Sequence, residues 1–231
     1  MKICLISDTH NRHNDINIPE SDMIIHAGDC TNTGTTKQIR EFCEWYGNLN
    51  QKYKILIAGN HDWGFEKDIL KHKRICEDNG IVYLQDSSIT IENLNIHGSP
   101  QTPEFCDWAF NCYRSNSEKV RMMVHYKKNY PVIDQFWNDI PFDTDILITH
   151  GPVYNILDEC FGKNVGCEEL ERRVNELDIK AHICGHIHHS YGHVLKNSTH
   201  YFNAAQVNDG LAIINDPILF DIENKIITLE D

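Results

Sequence analysis

Short apolar runs that stop abruptly at polar residues recur along the chain. Lys54-Ile55-Leu56-Ile57-Ala58 ends at Gly59 and gives way at once to Asn60-His61-Asp62. The same change occurs from Ile3 to His10, Met23 to Asp29, Ile146 to His150 and His182 to His188. Apolar runs of this length predict buried strands, and each is followed by Asp, Asn or His. Between them the period changes. Ile39, Phe42, Cys43, Tyr46 and Leu49 recur at intervals of three and four, which predicts an amphipathic helix over 35–50 with Thr35 as its cap. Ile69, Leu70, Ile75 and Cys76 predict a second helix over 65–80, with Gly80 as its stop.

Ile81 to Leu84 reads as a further strand. Ile89 to Ile91 and Leu94 to His97, joined by Glu92-Asn93, read as an antiparallel hairpin, so a mixed sheet is expected. Gly98 to Arg114 carries two prolines, Trp108, Phe110 and Tyr113 without a period; such loops often belong to binding sites, but the reading adopted is that it folds its aromatics inward. Helices are expected over Ser117–Asn129, Val132–Ile140 and Glu168–Leu177, and strands over Asp145–Thr149 and Ile179–Cys184. Tyr201–Ala204, Leu211–Ile214, Ile218–Ile222 and Ile226–Leu229 also have strand character, with Glu223-Asn224 as a turn. This alternation gives an α/β class. With no repeat, linker or low-complexity tract, residues 1–231 are expected to form one domain.

Composition narrows the function. With 34 acidic and 21 basic residues the net charge is -13, which argues against non-specific nucleic-acid binding or adhesion to an anionic membrane. A phosphate substrate stays open, because bound cations reverse the sign of a local site. No run approaches a membrane span or a signal-peptide core, so a cytoplasmic protein is expected. The nine cysteines are odd in number and form no Cys-x-x-Cys pair, which points to reduced, mostly buried thiols.

In open α/β sheets ligands bind beyond the carboxyl ends of the strands. The five tips bring Asp8, His10, Asp29, Asn60, His61, His150, His186 and His188. Two carboxylates, an amide and five imidazoles exceed the needs of one metal, and mixed oxygen and nitrogen donors suit Mn, Fe, Zn, Co or Ni better than Mg or Ca.

Asp8-x-His10, Gly28-Asp29, Gly59-Asn60-His61-Asp62, His150-Gly151-Pro152 and Gly185-His186-x-His188 resemble, in this order, the five blocks of the calcineurin-like metallophosphoesterases. Gly98-Ser99-Pro100, Thr149-His150-Gly151-Pro152 and Tyr201-Phe202-Asn203-Ala204 are similar to the small metallophosphoesterase-domain branch, which includes cyclic-nucleotide phosphodiesterases. The Asp-Arg-Gly of Ser/Thr protein phosphatases is missing after Gly28. The resemblance implies a four-layer α/β/β/α sandwich with two mixed sheets. It also implies two divalent metals, with Mn the choice for assay. Asp8, His10 and His188 would hold one, Asn60, His150 and His186 the other, and Asp29 would lie between them. His61 would be left to protonate the departing oxygen, and Asp62 could orient it.

The expected activity is hydrolysis of a phosphodiester in a small nucleotide, a cyclic nucleotide foremost. A phosphomonoesterase or nuclease on the same centre is the alternative, and a nucleotide-binding regulator with negligible turnover is the second. Oligomeric state is left open. His189 is read as lying outside the metal set. His13, His26, His72, His97, His125, His182, His193 and His200 are read as structural, and Cys30 and Cys184 as small buried residues.

Overall fold

The computed structural model describes residues 1–116 and 130–229. In chain order, β1 (Lys2–Ile6) and β2 (Met23–His26) lead to α1 (Thr36–Gly47), β3 (Tyr53–Leu56), α2 (Trp63–Lys67), α3 (Ile69–Asp78) and β4 (Val82–Tyr83). Then come β5 (Ser87–Ile91), β6 (Leu94–Ser99), β7 (Thr102–Pro103), β8 (Asn111–Cys112), α4 (Asp134–Asn138) and β9 (Ile146–Thr149). The chain continues through β10 (Glu159–Cys160), β11 (Lys163–Asn164), α5 (Glu168–Val174), β12 (Ala181–Cys184), β13 (Gly192–Lys196), β14 (Thr199–Asn203), β15 (Ile218–Glu223) and β16 (Ile226–Leu229).

Two six-stranded sheets carry the architecture, in the orders β16-β15-β1-β2-β3-β4 and β13-β14-β12-β9-β6-β5. Strands β1 to β4 run parallel in the first, and β6, β9, β12 and β14 run parallel in the second. Antiparallel strands complete each sheet. Both sheets are therefore mixed, and the carboxyl ends of their parallel strands meet along one edge. Ser7, just past β1, bridges to Ala205, just past β14, where the two sheets join.

Alternation along the strands builds the layers. Ile3 and Leu5 face the second sheet with Met23, Ile25, Ile146 and Ile183, whereas Cys4 and Ile6 face outward with Ile24 and Leu56 toward Phe42, Tyr46 and Cys76 of α1 and α3. Strands with two covered faces need side chains buried on both, hence the unbroken apolar runs. Leu147, Ile179 and Tyr201 pack in the same way with Trp137 of α4 and Leu170 and Val174 of α5. The result is the expected α/β/β/α sandwich. Phe202 and Phe220 stack across the two sheets at 5.0 Å and 10°, and replacing Phe202 with alanine should cost about 3–5 kcal/mol.

Local signals explain most boundaries. Thr35 and Gln38 form a reciprocal capping box at the start of α1. The helix expected over 65–80 divides at Asp68, whose φ of -153° ends α2 while its carboxylate accepts the Lys71 amide to cap α3. Glu92 and Asn93, both at positive φ, turn the β5–β6 hairpin; the β15–β16 turn is Asn224-Lys225, one residue beyond the expected position. Leu211–Ile214 is not a strand: it contributes a single antiparallel bridge, Ile213 to Val207. The helix expected over Ser117–Asn129, and His125 with it, lies outside the described residues. Among those described, no helix is long and apolar enough to cross a membrane.

Candidate metal centre

All eight predicted site residues converge at the edge where the two sheets join. Asp8 and His10 follow β1, Asp29 follows β2, and Asn60 and His61 follow β3; His150 follows β9, and His186 and His188 follow β12. Each turn leaves its strand sharply. Asp8, His10, Asp29 and His186 have φ of 54°, 41°, 55° and 66°, a left-handed backbone that costs of order 1–3 kcal/mol for a residue other than glycine. Close approach fixes two glycines. A Cβ at Gly59 would stand 2.3 Å from Asp29 Oδ1, and one at Gly185 would stand 2.0 Å from Asp8 Oδ2.

Donor atoms gather in three overlapping groups, each within 4.8 Å: Asp8, His10 and His188; Asp29, His150 and His186; and His10, Asp29 and His61. Asp29 belongs to two of them, with Oδ2 3.7 Å from His10 Nε2 and 3.3 Å from His150 Nε2, and His10 links them to the third. Asn60 joins through Oδ1, 3.0 Å from His150 Nε2.

The environment of His150 tests whether these residues fit a cation. Its Nδ1–H donates to the Ala27 carbonyl at 2.9 Å, so the neutral ring presents a bare Nε2. That lone pair meets Asn60 Oδ1 and Asp29 Oδ2. Three acceptors this close and buried need either a proton on Nε2 or a metal ion among them. Burial pushes the His150 pKa down, yet the Asp29 carboxylate overrides it and lifts it to about 9, so without a metal ion the ring carries a proton on Nε2 and a bound cation would take that proton's place. Both ring nitrogens of His10 are buried without a hydrogen-bond partner, as expected of an imidazole shaped for a metal.

Burial also pushes Asp8 and Asp29 upward. For Asp8, the hydrogen bond from His188 and the nearby imidazoles outweigh it; for Asp29, His150 does. Both carboxyls are held below the usual range, in the ionised form that binds cations. The His186 amide donates to both Asp8 oxygens, at 2.9 and 3.1 Å.

His61 is held differently. Its amide donates to Asp29 Oδ1 at 2.7 Å, and its Nδ1–H to the Asn32 carbonyl at 2.9 Å. The hydrogen bonds of the Asp62 carboxylate go elsewhere than to that ring. It is fully buried and accepts from Cys30 N, Thr31 N, Thr31 Oγ1 and Gly59 N at 2.7–3.2 Å, tying the tip of β3 to the tip of β2.

A cleft of about 570 Å³ opens over the centre, lined by Asp29, Asn60, His61, His186 and His188 on its floor and by Phe105, Trp108 and Val165 among its walls. Grooves of about 650 and 690 Å³ elsewhere contain none of the strand-tip residues. Phe110 and Tyr113 fold inward as expected, but Trp108 does not and takes part in this cleft. His97 bonds Ser88 Oγ at 2.8 Å and keeps its structural reading, and His189 pairs with Asp209 at 3.2 Å.

Sequence reasoning missed two braces. His26 Nδ1 accepts the Gly28 amide, and its Nε2–H faces Thr9 Oγ1 at 3.0 Å, between the ligand candidates Asp8 and His10. In the second sheet His182 Nε2 bonds Thr149 Oγ1 at 2.8 Å, next to His150. A histidine inside an apolar run was the available signal.

Comparison with known proteins agrees with this geometry. The sequence model of calcineurin-like phosphoesterases matches residues 1–190. Metallophosphoesterase domain-containing protein 1 of Homo sapiens is 35% identical over 241 residues, covering 94% of this chain and 69% of its own. A UPF0046 protein of Caenorhabditis elegans is 32% identical over 240 residues, covering 99% and 77%. The crystal structure of TT1561 of Thermus thermophilus shares the fold with a TM-score of 0.58 at 10% identity, covering 100% of this chain and 98% of that one. The donor set, the sandwich that gathers it and the match over most of the sequence make this chain a member of the calcineurin-like phosphoesterase family, metal-dependent hydrolases of phosphoesters.

Proposed function

We propose that the chain hydrolyses phosphodiester bonds of small nucleotides, with cyclic nucleotides as the foremost class. The observation that supports the catalytic part is the gathering of donor atoms of Asp8, His10, Asp29, His150, His186 and His188 into overlapping groups within 4.8 Å, with both ring nitrogens of His10 buried and unpartnered. Asp8, His10 and His188 would hold one divalent metal and Asn60, His150 and His186 the other, with Asp29 between them. Mn is the first metal to assay, with Fe, Zn, Co and Ni the others this donor set suits. When bound, two such ions would supply Lewis acidity at the phosphate and lower the pKa of a water for in-line attack.

The chain's own groups do the rest. With Nδ1–H committed to Asn32, His61 keeps Nε2 to deliver a proton to the departing oxygen. The cleft is of a size that encloses a small ligand, and Phe105 offers flat apolar surface to a base above the polar floor.

The test is a panel of bis-p-nitrophenyl phosphate, p-nitrophenyl phosphate, cyclic nucleotides and short oligonucleotides with added Mn²⁺. Diesters, and cyclic nucleotides among them, should turn over fastest. Preference for the monoester or for oligonucleotides would reassign the substrate, and no turnover with metal bound would leave a regulator that only binds nucleotide.

A further inference from the structure

His61 is gripped on every side but one. Its amide and its Nδ1 are tied to Asp29 and Asn32. One side of the ring meets His10, with centroids 4.7 Å apart and planes at 87°. Its remaining face lies against the indole of Trp108, centroids 4.0 Å apart and planes at 30°. Trp108 is half-buried and lines the cleft, so it is not a core residue that merely brushes a histidine.

The loop that carries Trp108 is itself docked on the turn after β3. The Ala109 amide donates to the Asn60 carbonyl at 3.1 Å, and the Phe110 amide to Glu66 Oε1 at 2.7 Å. Ala109 and Phe110 are buried beneath it. The backbone next to the indole is thus anchored to the turn that carries the imidazole and to the helix that follows it.

We propose that Trp108 is a positioning residue for His61, clamping the imidazole by its outer face so that Nε2 is presented to the leaving oxygen. This rests on His61 being the proton donor. In the step concerned, the oxygen of water bonds to phosphorus and gives up one proton to solvent, the bond from phosphorus to the leaving oxygen breaks, that oxygen takes the proton from His61, and His61 regains one from solvent. A leaving group that departs as a stabilised anion has little need of that proton. An alkoxide depends on it.

The experiment compares a 3′,5′-cyclic nucleotide, whose leaving group is a ribose alkoxide, with bis-p-nitrophenyl phosphate, in the Mn²⁺-loaded protein. Trp108→Ala should lower kcat for the cyclic nucleotide by roughly tenfold to a hundredfold, part of the 10²–10⁴ that a positioned acid supplies. KM and metal content should hold, and bis-p-nitrophenyl phosphate should be nearly spared. Trp108→Phe, which keeps a flat face, should restore most of the rate, whereas Trp108→Leu, which fills the space without one, should not. In the double variant with His61→Ala the two losses should not add, because one acts through the other.

Equal losses on both substrates, loss of metal in Trp108→Ala, or additive losses in the double variant would overturn the positioning role while leaving the proton donor in place. If His61→Ala alone shows no dependence on the leaving group, the proton-donor reading itself fails, and Trp108 loses its role with it.

Discussion

The Asp62 carboxylate receives both the hydroxyl of Thr31, at 2.7 Å, and the amide of the same residue, at 2.9 Å. It also receives the Gly59 amide at 2.9 Å. One buried side chain therefore fixes two of the loops that carry the ligand candidates Asp29 and Asn60. Asp62→Ala leaves these donors buried and unpaired, and at about 1–3 kcal/mol for an unsatisfied group a loss of roughly 3 kcal/mol or more is expected. Urea unfolding measures it, and a change under about 1 kcal/mol would show that water replaces the carboxylate.

Asp29 and His61 should fail in different ways. Asp29→Ala removes the shared donor, so elemental analysis should find metal and activity lost together. His61→Ala should keep its metal and lose rate. Metal loss in the second variant would move His61 into the ligand set, where its place near His10 and Asp29 would fit.

Gly59→Ala and Gly185→Ala place a methyl where the Asp29 and Asp8 carboxylates stand. Both variants should bind less Mn²⁺ at a given concentration, read by equilibrium dialysis. Gly80→Ala is the control, since a Cβ there meets nothing within 4 Å and its φ of +70° carries only local strain.

Acid should weaken the fold through His26 and His182. Burial depresses both imidazoles to about 3, whereas an unfolded histidine titrates near 6.5. Between these values the unfolded chain binds the extra proton, so stability is full above about pH 6.5 and falls as the pH drops toward 3. Between pH 7 and pH 5 each group should cost about 2 kcal/mol. Urea midpoints across this range check it, and His182→Gln should flatten the slope.

Seven proposed ligands come from two sheets: Asp8, His10, Asp29 and Asn60 from the first, and His150, His186 and His188 from the second. Cations bound there join the sheets, so chelation with EDTA should lower the melting temperature and Mn²⁺ should restore it. A melting temperature indifferent to both would mean that packing across the core already locks the sheets.

The strand tips were legible because an apolar run buried on both faces must stop where the sheet ends, and ligands lie just beyond. Asp62 was not, because its donors sit about thirty residues away in sequence, a relation that only folding creates. The pairs His26 with Thr9 and His182 with Thr149 were hidden for the same reason. Strand β13 escaped notice since Gly192-His193-Val194-Leu195-Lys196 is a half-exposed edge without a buried run. Leu211–Ile214 misled in the opposite direction: the apolar letters are there, but Leu211 sits at φ 57° and Ile214 is 60% exposed. Helix or strand could be told from period, whereas the function of Trp108 depended on a ring stacked from another loop.

The left-handed backbone at Asp8 and Asp29 also bears on how this centre can decay over evolutionary time. Few side chains other than glycine accept that conformation, and aspartate and asparagine are foremost among them. A single base change in either aspartate codon gives asparagine, which keeps the turn but surrenders the negative charge. Descendants that lose catalysis by this route should still fold, still carry the cleft, and be recognisable as former enzymes only by that one atom.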